Sequence, residues 1–231
     1  MAFDYMKHPQ KVNLGCGTDK KPGYLNIDLN RAHEPDLACD VSDLRALPSG
    51  YYSSLLAMDI LEHIPRLKAR NTLREWNRVL KTGGRLELQV PNILGLFSLM
   101  QKRGNKTAEA HERLLQSLFG TQADPGDFHY NGFTELYIRA LLAETGFEVE
   151  TLETRDGWLF HIVARKNRDS PVEEIFLLSD EDFISRVYRD YLHRPPDAEG
   201  YAYYLNLIKT GIAREAVVEA IKQSDEYHPG P

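Results

Sequence analysis

The residues in this sequence that are best suited to binding or catalysis surround a short glycine turn near the N-terminus. The stretch 11-KVNLGCGTDKKPGYLNIDLN-30 runs from an apolar segment into Gly15-Cys16-Gly17 and then, through a second apolar segment, into Asp28. Glycines let a ligand approach the backbone closely, and a carboxylate at the end of the next strand accepts both hydroxyls of a ribose. The pattern is typical of a nucleoside-binding site, although an ordinary turn between a strand and a loop would also contain such glycines.

A further acidic residue, Asp40, closes the next apolar segment, 36-DLACDV-41. If the glycine turn and Asp28 hold a nucleoside, the carboxylate of Asp40 would lie beside the base. It would then accept the amino hydrogens of an adenine.

Three residues downstream are candidates for acid–base chemistry. Asp59 and His63 follow the fourth apolar segment, and His129 lies in the segment 124-DPGDFHYNGFT-134, which is rich in glycine and aspartate. A side chain that takes a proton from a hydroxyl group contributes about 10² to 10⁴-fold to a reaction rate. For His63 the alternative is a structural role together with Glu62, and for His129 it is a solvent-exposed or capping role.

The elements that must position these residues are short strands alternating with helices. Strands are predicted at Val12–Leu14, Tyr24–Asp28, Asp36–Cys39, Leu55–Met58, Arg85–Val90, Glu148–Thr154 and Leu159–Arg165. This alternation predicts an α/β fold with a doubly wound, mostly parallel sheet, and such sheets bind ligands at the carboxyl ends of their strands. Only Arg155-Asp156-Gly157 separates the last two strands, which predicts an antiparallel hairpin at one edge.

Helical periodicity fills the spaces between the predicted strands. The first predicted helix has an apolar stripe that reaches Leu80, and Gly83-Gly84 is expected to stop it. A second helix ends at Gly120. A third begins after Thr134, its N-cap, and ends at Gly146.

Composition changes after the last predicted strand. The segment 166-KNRDSPVEE-174 is charged, contains a proline and lacks apolar periodicity, which predicts a linker. Beyond it, apolar rows with i,i+4 spacing predict a small, wholly helical module. The predicted organisation is therefore a domain at residues 1–166, a linker at 167–176 and the helical module at 177–231.

Composition also restricts the function. The 28 basic and 34 acidic residues give a formal net charge of −6. A negative net charge argues against a protein that binds the phosphate backbone of nucleic acids, so no nucleic-acid partner is expected. No run of eighteen apolar residues and no apolar N-terminal signal region occurs, which predicts no membrane span and a cytoplasmic location. Cys16 and Cys39 are expected to be reduced thiols, and the spacing of ligand-type residues predicts no metal site.

Several motifs that occur in order resemble signatures of the class I S-adenosylmethionine-dependent methyltransferases. They are 13-NLGCG-17, 24-YLNID-28, 58-MDILEHIP-65, 75-EWNRVLKTGGRLELQVPN-92 and 129-HYNGFT-134. They cover about residues 11–166, with Thr82 standing where the family usually has proline. The resemblance implies a seven-stranded, Rossmann-like sheet whose last strand is antiparallel, and S-adenosylmethionine as the cofactor.

The resemblance also implies, position by position, which residues hold the cofactor. Residues 15–17 would line its methionine part, Asp28 would hold the ribose and Asp40 the adenine. Asp59 and Ile60 would lie behind the sulfonium, where the acceptor enters. The full implied set is Asn13, Leu14, Gly15, Cys16, Gly17, Asp28, Leu29, Cys39, Asp40, Val41, Asp59, Ile60 and His63.

The distance from the turn to Asp28 departs from the family pattern. It is shorter than usual, so 18-TDKKPG-23 forms a loop where a helix normally follows, as in a subgroup of bacterial methyltransferases with the same motif. The helix N-terminus that supports the cofactor carboxylate is therefore expected to be missing. Lys20 or Lys21 would supply a replacement charge, and solvated loop lysines are the alternative.

The helical module contains the pattern Y-x-x-x-L-x-R-x-P-D-x-x-G, formed by Tyr188, Leu192, Arg194, Pro196, Asp197 and Gly200. The pattern resembles a bacterial family of unknown function that is similar to phycobilisome-linker-type modules. Such modules accompany bacterial glycosyltransferases and surface proteins, which suggests polysaccharide biosynthesis by association. A protein partner or self-association through this module is expected.

Two hypotheses follow. The first is an enzyme that moves a methyl group from S-adenosylmethionine to a small or glycan-type polar acceptor, expected to be a hydroxyl, by in-line displacement. The second is a non-catalytic, cofactor-binding scaffold whose helical module docks a partner from polysaccharide synthesis. A base whose replacement removes activity would distinguish them. A nicotinamide-dependent oxidoreductase fits the position of Asp28 poorly and leaves the segment 75–92 unexplained.

Overall fold

Seven strands form one sheet in the first part of the chain, as described by a computed structural model. They are β1 Lys11–Leu14, β2 Leu25–Asp28, β3 Leu37–Ala38, β4 Tyr52–Met58, β5 Leu80–Pro91, β6 Phe147–Arg155 and β7 Leu159–Lys166. Their order across the sheet is β3-β2-β1-β4-β5-β7-β6. The pairs from β3 to β5 are parallel, whereas β7 is antiparallel to both β5 and β6. The predicted α/β, mostly parallel fold with an antiparallel edge hairpin is confirmed.

The structure describes residues 3–123, 126–170 and 173–228, and it divides into two units, Met1–Pro171 and Val172–Pro231. The first two residues of the segment 124–134 and two residues of the predicted linker lie outside the described residues. Within the described ranges, no helix combines the length and the apolar character that crossing a bilayer requires.

The described part of the first unit contains four α-helices. They are α1 Arg66–Val79, α2 Ile93–Gln101, α3 Ala108–Phe119 and α4 Glu135–Glu144. Thr134 caps α4 as predicted, because its side chain accepts the N–H of Tyr137. The sequence did not predict α2, because 93-ILGLFSLMQ-101 is almost wholly apolar and has no polar face that would define a helical period.

Helix α1 ends earlier than the sequence predicted. Leu80 is the first residue of β5 instead of a helical residue, and the ladder between β4 and β5 is irregular over residues 81–84. Gly83-Gly84 therefore lies within a strand, so the predicted helix stop was wrong. The physical reason is the buried amine of Lys166, which donates to the carbonyl oxygens of Asn77 and Leu80 at 2.8 Å each and binds the helix end before the glycines.

The central strands are buried on both faces, as expected for parallel strands covered by helices. Leu14, Ile27 and Leu55 are fully buried and belong to one apolar core. Trp76 of α1 is also fully buried, and its indole nitrogen donates to the carbonyl of Val41 at 2.9 Å. This core fixes the carboxyl ends of β1, β2 and β4, where the polar residues of interest collect.

The first unit continues beyond the boundary predicted at residue 166. The amide of Asn77 donates to the carbonyl of Arg168 at 3.0 Å and accepts the N–H of Ser170 at 3.2 Å. Residues 167–170, which the sequence assigned to the linker, are therefore fastened to the end of α1.

The second unit is helical, in agreement with the apolar rows in its sequence. It contains α5 Asp180–Val187, a π-helical turn Tyr188–Leu192, α6 Ala198–Lys209 and α7 Arg214–Lys222. Its own buried core consists of Phe183, Ile184, Val187, Tyr188, Val217, Val218 and Ile221. Asp197 caps α6 by accepting the N–H of Gly200 at 2.9 Å.

Candidate functional site

The glycine turn and Asp28 meet at the carboxyl ends of β1 and β2. Gly15 and Gly17 both have positive φ angles, +63° and +50°, which glycine adopts without steric cost. The N–H of Gly17 donates to Asp28 Oδ2 at 2.7 Å. Oδ1 of Asp28 accepts the N–H of Asn30 at 2.8 Å and lies 3.2 Å from His33 Nδ1. The carboxylate therefore fastens the turn as well as ending the strand.

Two buried asparagines hold the short loop at residues 18–23. Asn13 Nδ2 donates to the carbonyl of Asp19 at 3.0 Å and to Asn26 Oδ1 at 3.1 Å. Asn26 Oδ1 also accepts the N–H of Lys21 at 2.8 Å. The side chain of Asn13 is thus used to hold the loop. Only the backbone of Asn13 is left to make the cofactor contact that the sequence predicted.

The two loop lysines form bonds within their own surroundings. Lys20 Nζ donates to the carbonyl of Glu34 at 3.0 Å, and Lys21 Nζ donates to the carboxylate of Asp19 at 2.5 Å. These contacts favour the interpretation of Lys20 and Lys21 as ordinary loop residues. They disfavour the alternative, in which one of the two lysines replaces the positive charge of a helix N-terminus.

Asp40 follows β3, and two residues hold its carboxylate. Oδ1 accepts the N–H and the hydroxyl of Ser42 at 2.8 and 2.6 Å, and Oδ2 accepts Lys68 Nζ at 3.0 Å. Burial raises the pKa of Asp40, but Lys68 and the bonds from Ser42 outweigh it, so the net shift is downward. Asp40 is therefore a stable anion at the edge of the sheet.

The remaining residues implied around Asp28 and Asp40 occupy different environments. Leu14 and Val41 are buried in the core, Cys39 packs against it, and Leu29 is exposed. Buried side chains leave only backbone atoms for a ligand, so Leu14 and Val41 could contact a cofactor only through their backbone.

Asp59 lies directly after β4, in the left-handed region with φ of +51°. Its carboxylate accepts the side-chain amide of Gln89 through both oxygens, at 3.1 and 2.9 Å. Burial raises the pKa of Asp59, although Gln89 and His63 oppose the shift. The next residue, Ile60, packs against the glycine turn, because a Cβ at Gly15 would lie only 2.5 Å from Ile60 Cδ1. Asp59 therefore stands beside the turn.

Glu62, His63 and His129 come together close to Asp59. The N–H groups of Tyr130 and Asn131 donate to the carbonyl of Glu62 at 2.8 and 3.1 Å, which docks the second segment onto the first. The rings of His63 and His129 meet edge to face, with centroids 4.7 Å apart. One potential ligand atom from each of the three side chains lies within 4.8 Å of the other two.

Burial controls the ionisation of this cluster. Glu62 is only 1% exposed, and burial raises its pKa to about 8, with repulsion by Asp59 adding to the shift. Burial and the neighbouring His63 lower the pKa of His129, so its imidazole is neutral at pH 7.

The sequence predicted the two histidines separately, without the residues that organise them. It favoured an architectural role for Glu62 and did not place it beside His129. It gave no prediction for Asn26 and Gln89, which fix the loop and Asp59. A polar residue inside the apolar run 24-YLNID-28 was a local signal that could have identified Asn26. The role of Gln89 depends on the pairing of β5 with β4, which no local sequence pattern indicates.

The geometry at the turn fits an adenosine-containing cofactor. A Cβ at Gly17 would meet no atom within 4 Å, so the turn faces open space beside Asp28. Asp28 takes part in three hydrogen bonds, and since a carboxylate offers about four lone-pair sites, one position is left for a ribose hydroxyl. The strand order β3-β2-β1-β4 puts Asp40, Asp28, the turn and Asp59 side by side along one edge.

Comparison with known protein families assigns the first unit. Residues 5–88 match a family model described as a methyltransferase domain. The match covers just over a third of the chain and supports an S-adenosylmethionine-dependent methyltransferase as its enzyme class. It equally supports S-adenosylmethionine as the cofactor, as the motifs implied.

The second unit matches a different family model. Residues 176–229 match a domain of unknown function, DUF4214. The match assigns no activity to the helical module, and its likeness to phycobilisome-linker modules stays a prediction.

Solved structures are similar to the methyltransferase domain in fold. An S-adenosylmethionine-dependent methyltransferase from Methanosarcina mazei is 23% identical, with a TM-score of 0.47 over 68% of this chain and 91% of that one. A protein from Bordetella parapertussis described as a possible exported protein is 18% identical, with a TM-score of 0.51 over 70% and 63% of the two chains.

A third solved structure is an enzyme with its ligands. It is the 1,6-didemethyltoxoflavin-N1-methyltransferase of Burkholderia thailandensis, with bound 1,6-didemethyltoxoflavin and S-adenosylhomocysteine. It is 17% identical, with a TM-score of 0.47 over 71% of this chain and 74% of that one. No curated protein matches the chain.

Proposed function

We propose that the methyltransferase domain methylates a hydroxyl group of a small or glycan-type polar acceptor. The observation that carries the proposal is the grouping of Asp59 with His63 and His129 at the carboxyl end of β4, beside the glycine turn. A hydroxyl group is almost wholly protonated at pH 7, so methylation at its oxygen requires a group that takes the proton. A carboxylate beside two imidazoles meets that requirement.

The ends of the first three strands are proposed to hold the cofactor. Asp28 would accept a ribose hydroxyl, and Asp40 would accept the amino group of the adenine. S-adenosylmethionine supplies a methyl group carried on a positively charged sulfur. The carboxylates along this edge favour a cationic ligand electrostatically.

Asp59 is the residue to which we assign proton acceptance. Its side chain is accessible to solvent, Gln89 orients it through both oxygens, and partial desolvation by the surrounding protein raises its pKa toward that of an effective base. We assign His63 and His129 to binding and orienting the acceptor. The buried side-chain nitrogen of Asn131 has no hydrogen-bond acceptor among the described residues, which suits a donor to the acceptor molecule.

A glycan would be one acceptor with suitable hydroxyl groups. The proposal of a glycan rests on the resemblance of the helical module to modules that accompany glycosyltransferases, which is an argument by analogy.

Calorimetric titration with S-adenosylmethionine and S-adenosylhomocysteine tests the cofactor site. We expect micromolar binding by the wild type, about −8 kcal/mol, and at least about tenfold weaker binding by Asp28→Asn. Asp4→Asn is the matched control, because it removes one negative charge at a surface ion pair with Lys7 and leaves the turn intact. Unchanged affinity in Asp28→Asn would contradict the assigned role of Asp28.

Kinetics of Asp59→Asn test the assigned base. Asparagine tolerates positive φ, so the backbone is expected to survive, and S-adenosylhomocysteine, which has no positively charged sulfur, should still bind. With a hydroxyl acceptor, kcat should fall about 10² to 10⁴-fold. An unchanged kcat would reject Asp59 as the base, and cofactor binding without turnover of any acceptor would favour the scaffold alternative.

A further inference from the structure

We propose that Glu62, His63 and His129 form a binding site for a divalent transition-metal ion such as Zn²⁺. The three side chains offer one carboxylate oxygen and two imidazole nitrogens, and one atom from each lies within 4.8 Å of the other two. Atoms bound at about 2.1 Å to the same ion lie roughly 3 to 4 Å apart, so a shift of less than about 1 Å would bring the side chains to ligand distance.

The hydrogen bonding of these side chains supports the proposal. Glu62 Oε2, His63 Nδ1 and His129 Nδ1 are all buried, and none of them has a hydrogen-bond partner in the described structure. Buried polar atoms are normally paired, because each unpaired group costs about 1 to 3 kcal/mol. An ion bound between the three side chains would give unpaired atoms of this kind a partner.

The backbone holds the ligands in place from two distant parts of the chain. The carbonyl of Glu62 accepts the N–H groups of the two residues after His129, and the N–H of His129 donates to the carbonyl of Phe119 at 3.1 Å. Because regular backbone bonds set these positions, the site exists before any ion enters. Such preorganisation is what metal sites require of their supporting residues.

One ring nitrogen of His129 is available to an ion. His129 Nδ1 is buried and has no hydrogen-bond partner among the described residues. A ligating histidine usually donates its other ring N–H to a carbonyl or a carboxylate.

The donor set indicates which ion would bind. Two imidazoles and one carboxylate suit Zn²⁺, Co²⁺ or Fe²⁺, whereas Mg²⁺ and Ca²⁺ prefer sites made of oxygen atoms. Three protein ligands leave at least one position open, as in catalytic zinc sites.

The sequence predicted no metal site, because the ligands come from adjacent residues 62–63 and from residue 129, a spacing that no metal motif uses. Only the docking of the second segment on the first brings them together.

The open position suggests a role, and this part of the inference rests on the proposed function. An acceptor hydroxyl bound there would have a lowered pKa and would pass its proton to Asp59 more readily. Binding of the ion itself does not depend on that role.

Direct metal titration tests the site. Full-length, tag-free protein would be freed of metal with a chelator and titrated with Zn²⁺ by calorimetry and with Co²⁺ by visible absorption. We expect one tightly bound ion per chain and d–d bands characteristic of fewer than six ligands. Affinity should fall at least about tenfold in Glu62→Gln, His63→Asn and His129→Asn. The matched control His228→Asn, at an exposed histidine of the second unit, should bind as the wild type does.

Other outcomes would overturn the inference. Weak Zn²⁺ binding that is equal in the wild type and in His129→Asn would do so, as would octahedral Co²⁺ spectra that the three substitutions leave unchanged. Titration of the same metal-free samples with S-adenosylhomocysteine keeps the two proposals apart. Normal cofactor binding without metal binding rejects only the metal site, whereas metal binding without cofactor binding rejects the proposed function.

Discussion

Gly15 shows how closely a single residue controls the site. Its Cα stands against Ile60, and its φ of +63° lies in the region where a β-carbon is strained. Gly17 has a similar φ of +50° but open space around it. The two glycines therefore separate backbone strain from steric crowding.

We predict that Gly15→Ala destabilises the protein more than Gly17→Ala. Both substitutions cost about 1 to 2 kcal/mol for the left-handed backbone, and Gly15→Ala adds about 1 to 3 kcal/mol of overpacking against Ile60. Urea unfolding of both variants measures the difference. Equal losses of stability would show that Ile60 moves aside freely, and Gly15→Ala combined with Ile60→Ala should recover part of the extra loss.

We predict that Cys39 is unreactive at neutral pH. Burial, together with the negative charges of Asp40 and Asp43, raises the pKa of its thiol to about 11, so at pH 8 only about one thiol in a thousand is ionised. In a Cys16→Ser variant, maleimide labelling of Cys39 should increase about tenfold per pH unit from 7 to 10. A rate that levels off near pH 8.5, as for a free cysteine, would contradict the raised pKa.

The sequence predicted the glycine turn and Asp28 at the ends of their strands, because a local motif carries them, and their contacts with a cofactor stay a prediction. It missed the neighbours that only tertiary structure brings to these residues. The side chain of Asn13 supports a loop, which became visible only once Asn26 was placed beside it. The cluster of Glu62 with His129 required the docking of two segments 67 residues apart in the sequence, which no local pattern reports.

At the scale of elements, the end of α1 depends on a charged side chain from β7, the strand that pairs with β5. Lys166, at the end of β7, is 3% exposed, and its amine bonds two carbonyls at the C-terminal end of α1 and the carboxylate of Asp169. A cation at a helix C-terminus also interacts favourably with the helix dipole.

We predict that Lys166→Met destabilises the first unit by about 1 to 3 kcal/mol. Methionine keeps most of the apolar stem but leaves the carbonyls of Asn77 and Leu80 without their donor. Urea unfolding followed by tryptophan fluorescence would report the loss, since Trp76 lies on α1. The control is Asp169→Asn, which removes only the exposed partner and should cost less than about 1 kcal/mol. Equal losses of stability in both variants would indicate that Lys166 stabilises the first unit through its ion pair with Asp169 and not through its bonds to the end of α1.

Element prediction succeeded for strands and was weaker for helix boundaries. All seven strands were expected within a few residues, because apolar runs bounded by glycine, aspartate and asparagine are local signals. The end of α1 was missed because Lys166, which binds it, lies 86 residues beyond Leu80.

At the scale of the whole molecule, the chain consists of two units with separate cores. The described strands and site residues belong to the first unit, and the buried core of the second, as far as the structure describes it, lies within residues 183–221. The boundary could not be read from composition, because Asn77 binds Ser170 across 93 residues.

We predict that a chain shortened to residues 1–171 folds and binds S-adenosylhomocysteine with the affinity of the full chain. Each unit has its own buried core, so removal of the second should not expose the core of the first. Calorimetry on both chains measures this. Ending the chain at residue 166 is the informative comparison, because it removes the bonds from Arg168 and Ser170 to Asn77 and should lower the stability. Loss of binding in the longer fragment would mean that the helical module contributes to the site.

The left-handed backbone at Asp59 also limits how this domain can change over generations. Besides aspartate, glycine and asparagine adopt that conformation most readily, and each is one nucleotide away from either aspartate codon. A gene that loses the need for a proton acceptor can therefore drift at this codon and still encode a folded protein. We expect homologues that have lost the activity to carry asparagine or glycine at this position. The residue at this one position would then distinguish active homologues from inactive ones.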